Sequence, residues 1–162
     1  MRYSLTFDDV ATGTVADTFT TFAAIIVADT AGHRCRLRSL CIGPSDDAPA
    51  DLNVGIKLAR IADVSGGSAG TGTAVTTANM GKIDPGTPAS LMSGKRDFTA
   101  EPTAYETEPL FAMGMNARGG LIKEWSEDGA PVVTQDQLLG LLACPRTTTA
   151  VKLSGSLEFE IY

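Results

Sequence analysis

Apolar and polar side chains alternate along most of this chain. Between Ala150 and Tyr162, Val151, Leu153, Leu157, Phe159 and Ile161 fall on one side of an extended backbone, and Lys152, Ser154, Ser156, Glu158 and Glu160 fall on the other. Successive strand side chains point to opposite faces, so this pattern predicts a half-buried strand. Leu52, Val54, Ile56 and Leu58 alternate in the same way with Asn53, Gly55, Lys57 and Ala59, and Tyr3, Leu5 and Phe7 with Arg2, Ser4 and Thr6. Residues 18–27 and 137–143 are more uniformly apolar, which predicts strands covered on both faces.

Turn-forming clusters punctuate these runs: Ala31-Gly32, Gly43-Pro44-Ser45-Asp46-Asp47, residues 65–72, Asp84-Pro85-Gly86, Gly119-Gly120 and Asp128-Gly129. With 17 Gly and 8 Pro among 162 residues, little uninterrupted length remains for helices, and no window carries a helical stripe. Short strands separated by such turns read as an all-β domain, an antiparallel sandwich or barrel. The length suits one domain over residues 1–162. Residues 65–103, rich in Gly, Ser, Thr, Ala and Pro, are the least strand-like part; they read as a long excursion holding a short strand near Thr73–Thr76. Loops of that length are usually functional or ordered against a partner.

Charge narrows the partners. Thirteen Lys and Arg against 19 Asp and Glu give a net charge of −6, so a nucleic-acid partner is not expected, because that affinity comes from many phosphate-facing cations. No membrane association is expected either. Met1 to Asp9 lacks the apolar core of a signal peptide, and the apolar-leaning stretch from Thr18 to Ala28 falls short of the roughly 20 residues a helical span needs. A soluble protein made in a reducing cytoplasm would keep Cys35, Cys41 and Cys144 as free thiols.

Candidate chemistry is sparse. Residues 65–73 superficially resemble a phosphate cradle, yet no lysine follows until Lys82 and no helix pattern follows at all, so a hairpin-type loop is expected. His33, Cys35 and Cys41 would share one face of a strand over 33–42, but nothing else in the chain spaces like a second ligand pair, and core packing is the reading for that face. Asp46, Asp47 and Asp51 crowd one loop whose spacing does not fit a calcium-binding hand and which Pro49 interrupts. His33 is the only imidazole and no Gly-x-Ser-x-Gly elbow occurs. Counting does not exclude a pair of glycosidase carboxylates, but one Trp, three Tyr and six Phe give little material for a sugar cleft. No enzyme, cofactor or metal is expected. Arg34, Arg36 and Arg38, about 7 Å apart along a strand, form a cationic stripe on an acidic protein. Two readings stand: a solvated face neutralised by the chain's own carboxylates, or an intersubunit contact, for which the planar arginine fork is suited. A polyanion site is a third and lesser one.

The central and C-terminal segments carry a recognisable order. Leu58-Ala59-Arg60, Ala69-Gly70-Thr71-Gly72-Thr73-Ala74, Ile83-Asp84-Pro85 and Phe98-Thr99-Ala100-Glu101-Pro102-Thr103 are followed by Gly119-Gly120, Trp125, Pro131-Val132-Val133, Leu138 to Leu142, Ala143-Cys144-Pro145 and Glu158-Phe159-Glu160. Over roughly residues 52–162 this resembles the small virion structural proteins of tailed bacteriophages that decorate or cement the capsid exterior. Ser93-Gly94-Lys95-Arg96-Asp97 departs from the pattern as an insertion. The resemblance implies a jelly-roll β-sandwich, a homotrimer, a partner in the phage major capsid protein, and no catalytic residues. Phe98, Tyr105, Phe111, Met113 and Met115 would then serve either that interface or the sandwich core. A tail, collar or head-fibre module and a small carbohydrate-binding sandwich are the alternatives.

Overall fold

Two antiparallel sheets lie face to face in the computed structural model, which describes residues 1–27, 32–45, 51–64, 68–84 and 92–162. In chain order the strands are β1 (Arg2–Ala11), β2 (Thr20–Val27), β3 (Cys35–Pro44), β4 (Asn53–Ile61), β5 (Thr71–Thr76), β6 (Gly81–Lys82), β7 (Met92–Ala100), β8 (Phe111–Asn116), β9 (Leu121–Glu124), β10 (Val132–Val133), β11 (Leu138–Pro145) and β12 (Lys152–Ile161). Among the described residues there is no helix, and so none long and apolar enough to cross a membrane.

The first sheet places β1, β12, β3 and β9 side by side, and the second places β2, β11, β4 and β8 side by side. Along these eight strands the chain therefore changes sheet at β1–β2, β2–β3, β3–β4, β8–β9, β9–β11 and β11–β12, and its first and last long strands are neighbours. That interleaving is the jelly-roll form of the β-sandwich. β6 adds to the β1 edge of the first sheet, β10 pairs with the start of β3, and β7 then β5 extend the second sheet beyond β2.

The alternation explains the core. Tyr3, Leu5 and Phe7 of β1, Leu153, Leu157 and Phe159 of β12, and Val54, Ile56 and Leu58 of β4 are all buried in one cluster between the sheets. Tyr3 stacks on Phe159 at 5.9 Å, and Phe7 meets Phe22 edge to face at 5.8 Å, spacings at which aromatic pairs add to simple area burial.

The excursion takes a more regular form than its composition suggests. Residues 65–103 contain β5 and β7, paired with each other, and β7 continues the ladder onto β2. The alternation rule misses β7 because its inward positions are Met92 and Gly94. A Cβ on Gly94 would stand 2.8 Å from a Leu5 methyl and 2.9 Å from the Met80 methyl, so the apolar contact at this position comes from the facing residues. A bulge near Asp97, whose φ is +51°, then breaks the alternation.

A second bulge corrects the expectation that His33, Cys35 and Cys41 share a face. Glu158 pairs with Ser39 and Phe159 with Leu37, which makes Arg38 the extra residue in β3. Beyond it the parity inverts: Leu40 and Ile42 point inward and Cys41 is exposed, while Cys35 is fully buried. All three cysteines are free, and burial pushes the Cys35 and Cys144 thiols up from the ordinary range.

Candidate interaction surfaces

The outer face of the first sheet is a lattice of charge. Arg36 Nη1 donates to Glu127 Oε1 at 2.8 Å, and its guanidinium lies 4.6 Å above the Tyr162 ring. Arg38 pairs with Glu160 across the β3–β12 ladder, and Ser39 Oγ donates to Glu158 Oε2 at 2.9 Å. Arg2 donates twice to Asp84, from its backbone N–H at 2.9 Å and from Nε at 3.1 Å. The hydrogen bond with Arg2 holds the Asp84 carboxyl below the usual carboxylate range. The stripe predicted from the sequence thus exists, and two of its three members are neutralised within the chain. Arg34 lies just before β3, exposed, and exchanges main-chain hydrogen bonds with Tyr162 at 3.0 and 3.1 Å. Between these pairs a depression of about 490 Å³ is lined by Arg2, Arg38, Ser39, Asp84, Glu124, Trp125, Glu158 and Glu160.

The outer face of the second sheet is covered by the chain itself. Ala24, Ile26, Ile61 and Leu138 form a small buried cluster beneath Val64, Ala69, Phe98 and Tyr105. Tyr105 Oη shares a hydrogen bond of 3.1 Å with Thr21, and the Thr21 N–H donates to Glu101 Oε2 at 2.8 Å. The ring lies over Gly140, where an added Cβ would collide with the hydroxyl, and burial pushes the Tyr105 hydroxyl well up from its ordinary pKa. Phe98 and Tyr105, two of the sequence candidates, therefore hold down the excursion. The described part of the Gly-rich segment is fastened to the same layer. Gly70 adopts φ +65° and a Cβ there would stand 2.6 Å from Pro102 N, so only glycine fits, and Lys95 Nζ donates to its carbonyl at 2.8 Å. Residues 65–67, and Asp46 and Asp47 of the crowded acidic loop, lie outside the described residues.

The other three candidates lie on β8, at the end of the second sheet. Phe111 is half-buried and packs edge to face on Trp125 at 6.0 Å. Met115 is 8% exposed and belongs to the core, which removes it from the surface contacts, whereas Met113 is 47% exposed. All three project to the same side of β8, but Met115 joins the main core with Ala117 and Leu121, Phe111 packs on Trp125, and Met113 between them stays exposed. Ile122 of β9, 73% exposed beside Cys41, is an apolar surface residue the alternation pattern did not single out. Among the described residues, no group of three or more His, Cys, Asp and Glu is placed to hold a metal ion.

The arrangement defines a jelly-roll sandwich with one charged and one self-covered face. No family model matches the chain, and no curated protein does. Two solved structures, of infectious bursal disease virus Gx and Gt strains, align with it at 15% and 18% identity and TM-scores of 0.23 and 0.22. The alignments take in 98% and 99% of this chain but only 41% and 40% of those chains. Likeness that loose does not bear on function.

Proposed function

We propose that this protein is a non-enzymatic structural component of a tailed-bacteriophage virion. In this reading it is a decoration or cement protein that sits on the capsid exterior as a homotrimer and bridges neighbouring copies of the major capsid protein. The observation that carries the reading is topological. The order β1-β12-β3-β9 against β2-β11-β4-β8 is the jelly roll that the ordered segments from Leu58 to Glu160 imply. The charged outer face adds support: Arg36 and Arg38 are paired with Glu127 and Glu160, and a charged, solvent-facing surface suits adhesion to another protein. Several weak contacts made together by one oligomer suffice for a cement, through effective concentration.

Native mass measurement is expected to give about 51 kDa for three 16.9 kDa chains. The purified protein should also co-sediment with undecorated heads, and antibody label should cover the head of intact virions. A strict monomer that ignores heads overturns the proposal, and label confined to the tail or collar replaces it with a tail, collar or head-fibre module. A sugar-binding reading draws on one feature, Trp125 beside the carboxylates of the 490 Å³ depression; a glycan array without hits disposes of it.

A further inference from the structure

Among the described residues, three arginines, Arg36, Arg60 and Arg96, each bury an Nε that makes no hydrogen bond. A polar atom shielded from water and left without a partner is costly, and such atoms are ordinarily met by an ordered water or an ion. The Arg36 guanidinium lies over the Tyr162 ring, and Arg60 Nη2 donates to Val132 O. Arg96, by contrast, lines a cavity of about 140 Å³ between β1 and β5.

Arg96 reaches from β7 to β1, where its Nη1 donates to Thr6 O at 3.1 Å. Thr6 is where the edge of β1 opens. Met1 and Ile161 exchange main-chain hydrogen bonds, so Tyr3, Leu5 and Phe7 bond to β12, and Arg2, Ser4 and Thr6 turn their backbone groups the other way. β6 pairs with Tyr3 and Ser4 and goes no further. Arg96 therefore satisfies the Thr6 carbonyl in place of a strand, and the Thr6 N–H faces the cavity side. That bond occupies one end of the guanidinium. Nε and Nη2, the edge able to grip a carboxylate with two parallel bonds, make no hydrogen bond among the described residues. Asp97 Oδ2 lies 3.5 Å from Nε, too poorly placed for a hydrogen bond, and both side chains are part-exposed. Asp8 and Asp9 are turned to Ser154 and Lys152. The buried Leu5, Val75 and Met80 line the cavity beside these donors.

We propose that this cavity binds a small carboxylate. Nε and Nη2 of Arg96 grip its two oxygens, the Thr6 N–H donates to one of them, and its alkyl carbon rests against Leu5, Val75 and Met80. The fork supplies the geometry, because a planar guanidinium matches a carboxylate in a way that a lysine ammonium does not. The apolar lining favours a carboxylate over phosphate, which has no alkyl end. A cavity of roughly 150 Å³ admits benzene, so there is room for an acid of a few carbons. The same chemistry recognises a free acid and the Asp or Glu side chain of another protein. The site lies apart from both outer faces and stands whether or not the virion reading does.

The test titrates the full, 15N-labelled chain with sodium acetate at constant ionic strength, chloride making up the balance, and follows it by NMR. The Arg96 Nε–H and Thr6 N–H signals are expected to shift together and saturate, while the Arg36 and Arg60 Nε–H signals stay fixed. Arg96→Lys keeps the charge without the two-pronged edge and should weaken acetate binding, read at Thr6 N–H, by roughly tenfold. Asp97→Asn removes a competing charge and should strengthen it about twofold. If Arg96→Lys does not fold, the parent titration and Asp97→Asn decide. Signals that do not move mean that water completes the fork, and overturn the proposal. Shifts that chloride reproduces, that Arg36 and Arg60 share, or that inorganic phosphate gives as readily overturn it too. N-acetyl-glutamate α-amide, blocked except at its side-chain carboxylate, separates the two sources. Binding as tight as that of acetate assigns the site to an acidic side chain of a partner, and binding of acetate alone assigns it to a free acid.

Discussion

The two outer faces of the sandwich differ in what covers them. On the first sheet, the strands alternate apart from the bulges in β1 and β3, and the outward residues (Arg36, Arg38, Glu158, Glu160) meet water and one another. On the second, β2 and β11 are buried on both sides, and the outward residues Ile26 and Leu138 are roofed by Phe98 from the excursion and by Tyr105 just beyond it. One face is held by exposed charge pairs, which are worth little each, and the other by apolar burial, which is worth much more. The stretch that looks most like a loop is therefore the one that completes the second hydrophobic layer.

Substitutions separate the faces by size of effect. Leu138→Ala is expected to cost about 3 kcal/mol, because the excursion over it cannot collapse fully into the space left, whereas Glu158→Ala on the opposite face should cost under about 0.5 kcal/mol. Urea denaturation of both variants checks the contrast, and equal costs would mean that the roof contributes nothing. Tyr105→Phe is expected to lose about 1 kcal/mol through the bond to Thr21, with the outer layer otherwise intact. Thiol labelling sharpens the picture at the bulge. Cys41 should react at once, while Cys35 and Cys144 should wait for unfolding; a single labelling rate for all three would contradict the inverted parity of β3.

The smallest effect is acid sensitivity, and it belongs to the first sheet. The hydrogen bonds from Lys152 and Arg2 hold the Asp9 and Asp84 carboxyls below their ordinary range. Groups whose folded pKa is depressed add stability above the unfolded value and lose it as pH falls through the folded one. The acid limb of the stability curve should thus be shallower in Lys152→Met and Arg2→Met, below about pH 4. Identical limbs in parent and variants would show that these two pairs do not contribute.

Much of the architecture is legible in the chain. The alternation in β1, β4 and β12 places the core, and the uniform runs at residues 18–27 and 137–143 indicate strands with two covered faces. β7 is illegible because a glycine occupies the position where an apolar residue would have marked the buried face. The surface candidates divide in the same way. Arg36 and Arg38 do line one face, but their carboxylate partners Glu127 and Glu160 lie far away in sequence and are met only across the ladder and its neighbouring turn. Met113 and Met115 are equivalent as letters and differ in the fold by one pleat along an edge.

The sequence by itself determined an all-β protein, the inward-facing residues of its long strands and the presence of a cationic stripe, because these depend on a period of two that any extended backbone reads out locally. Only the tertiary structure decided what roofs the second sheet, which cysteine reaches the surface and which of the paired methionines on β8 is buried. Each of these depends on a bulge, a crossover or a close approach between segments distant in the chain, and local patterning carries no record of such distances.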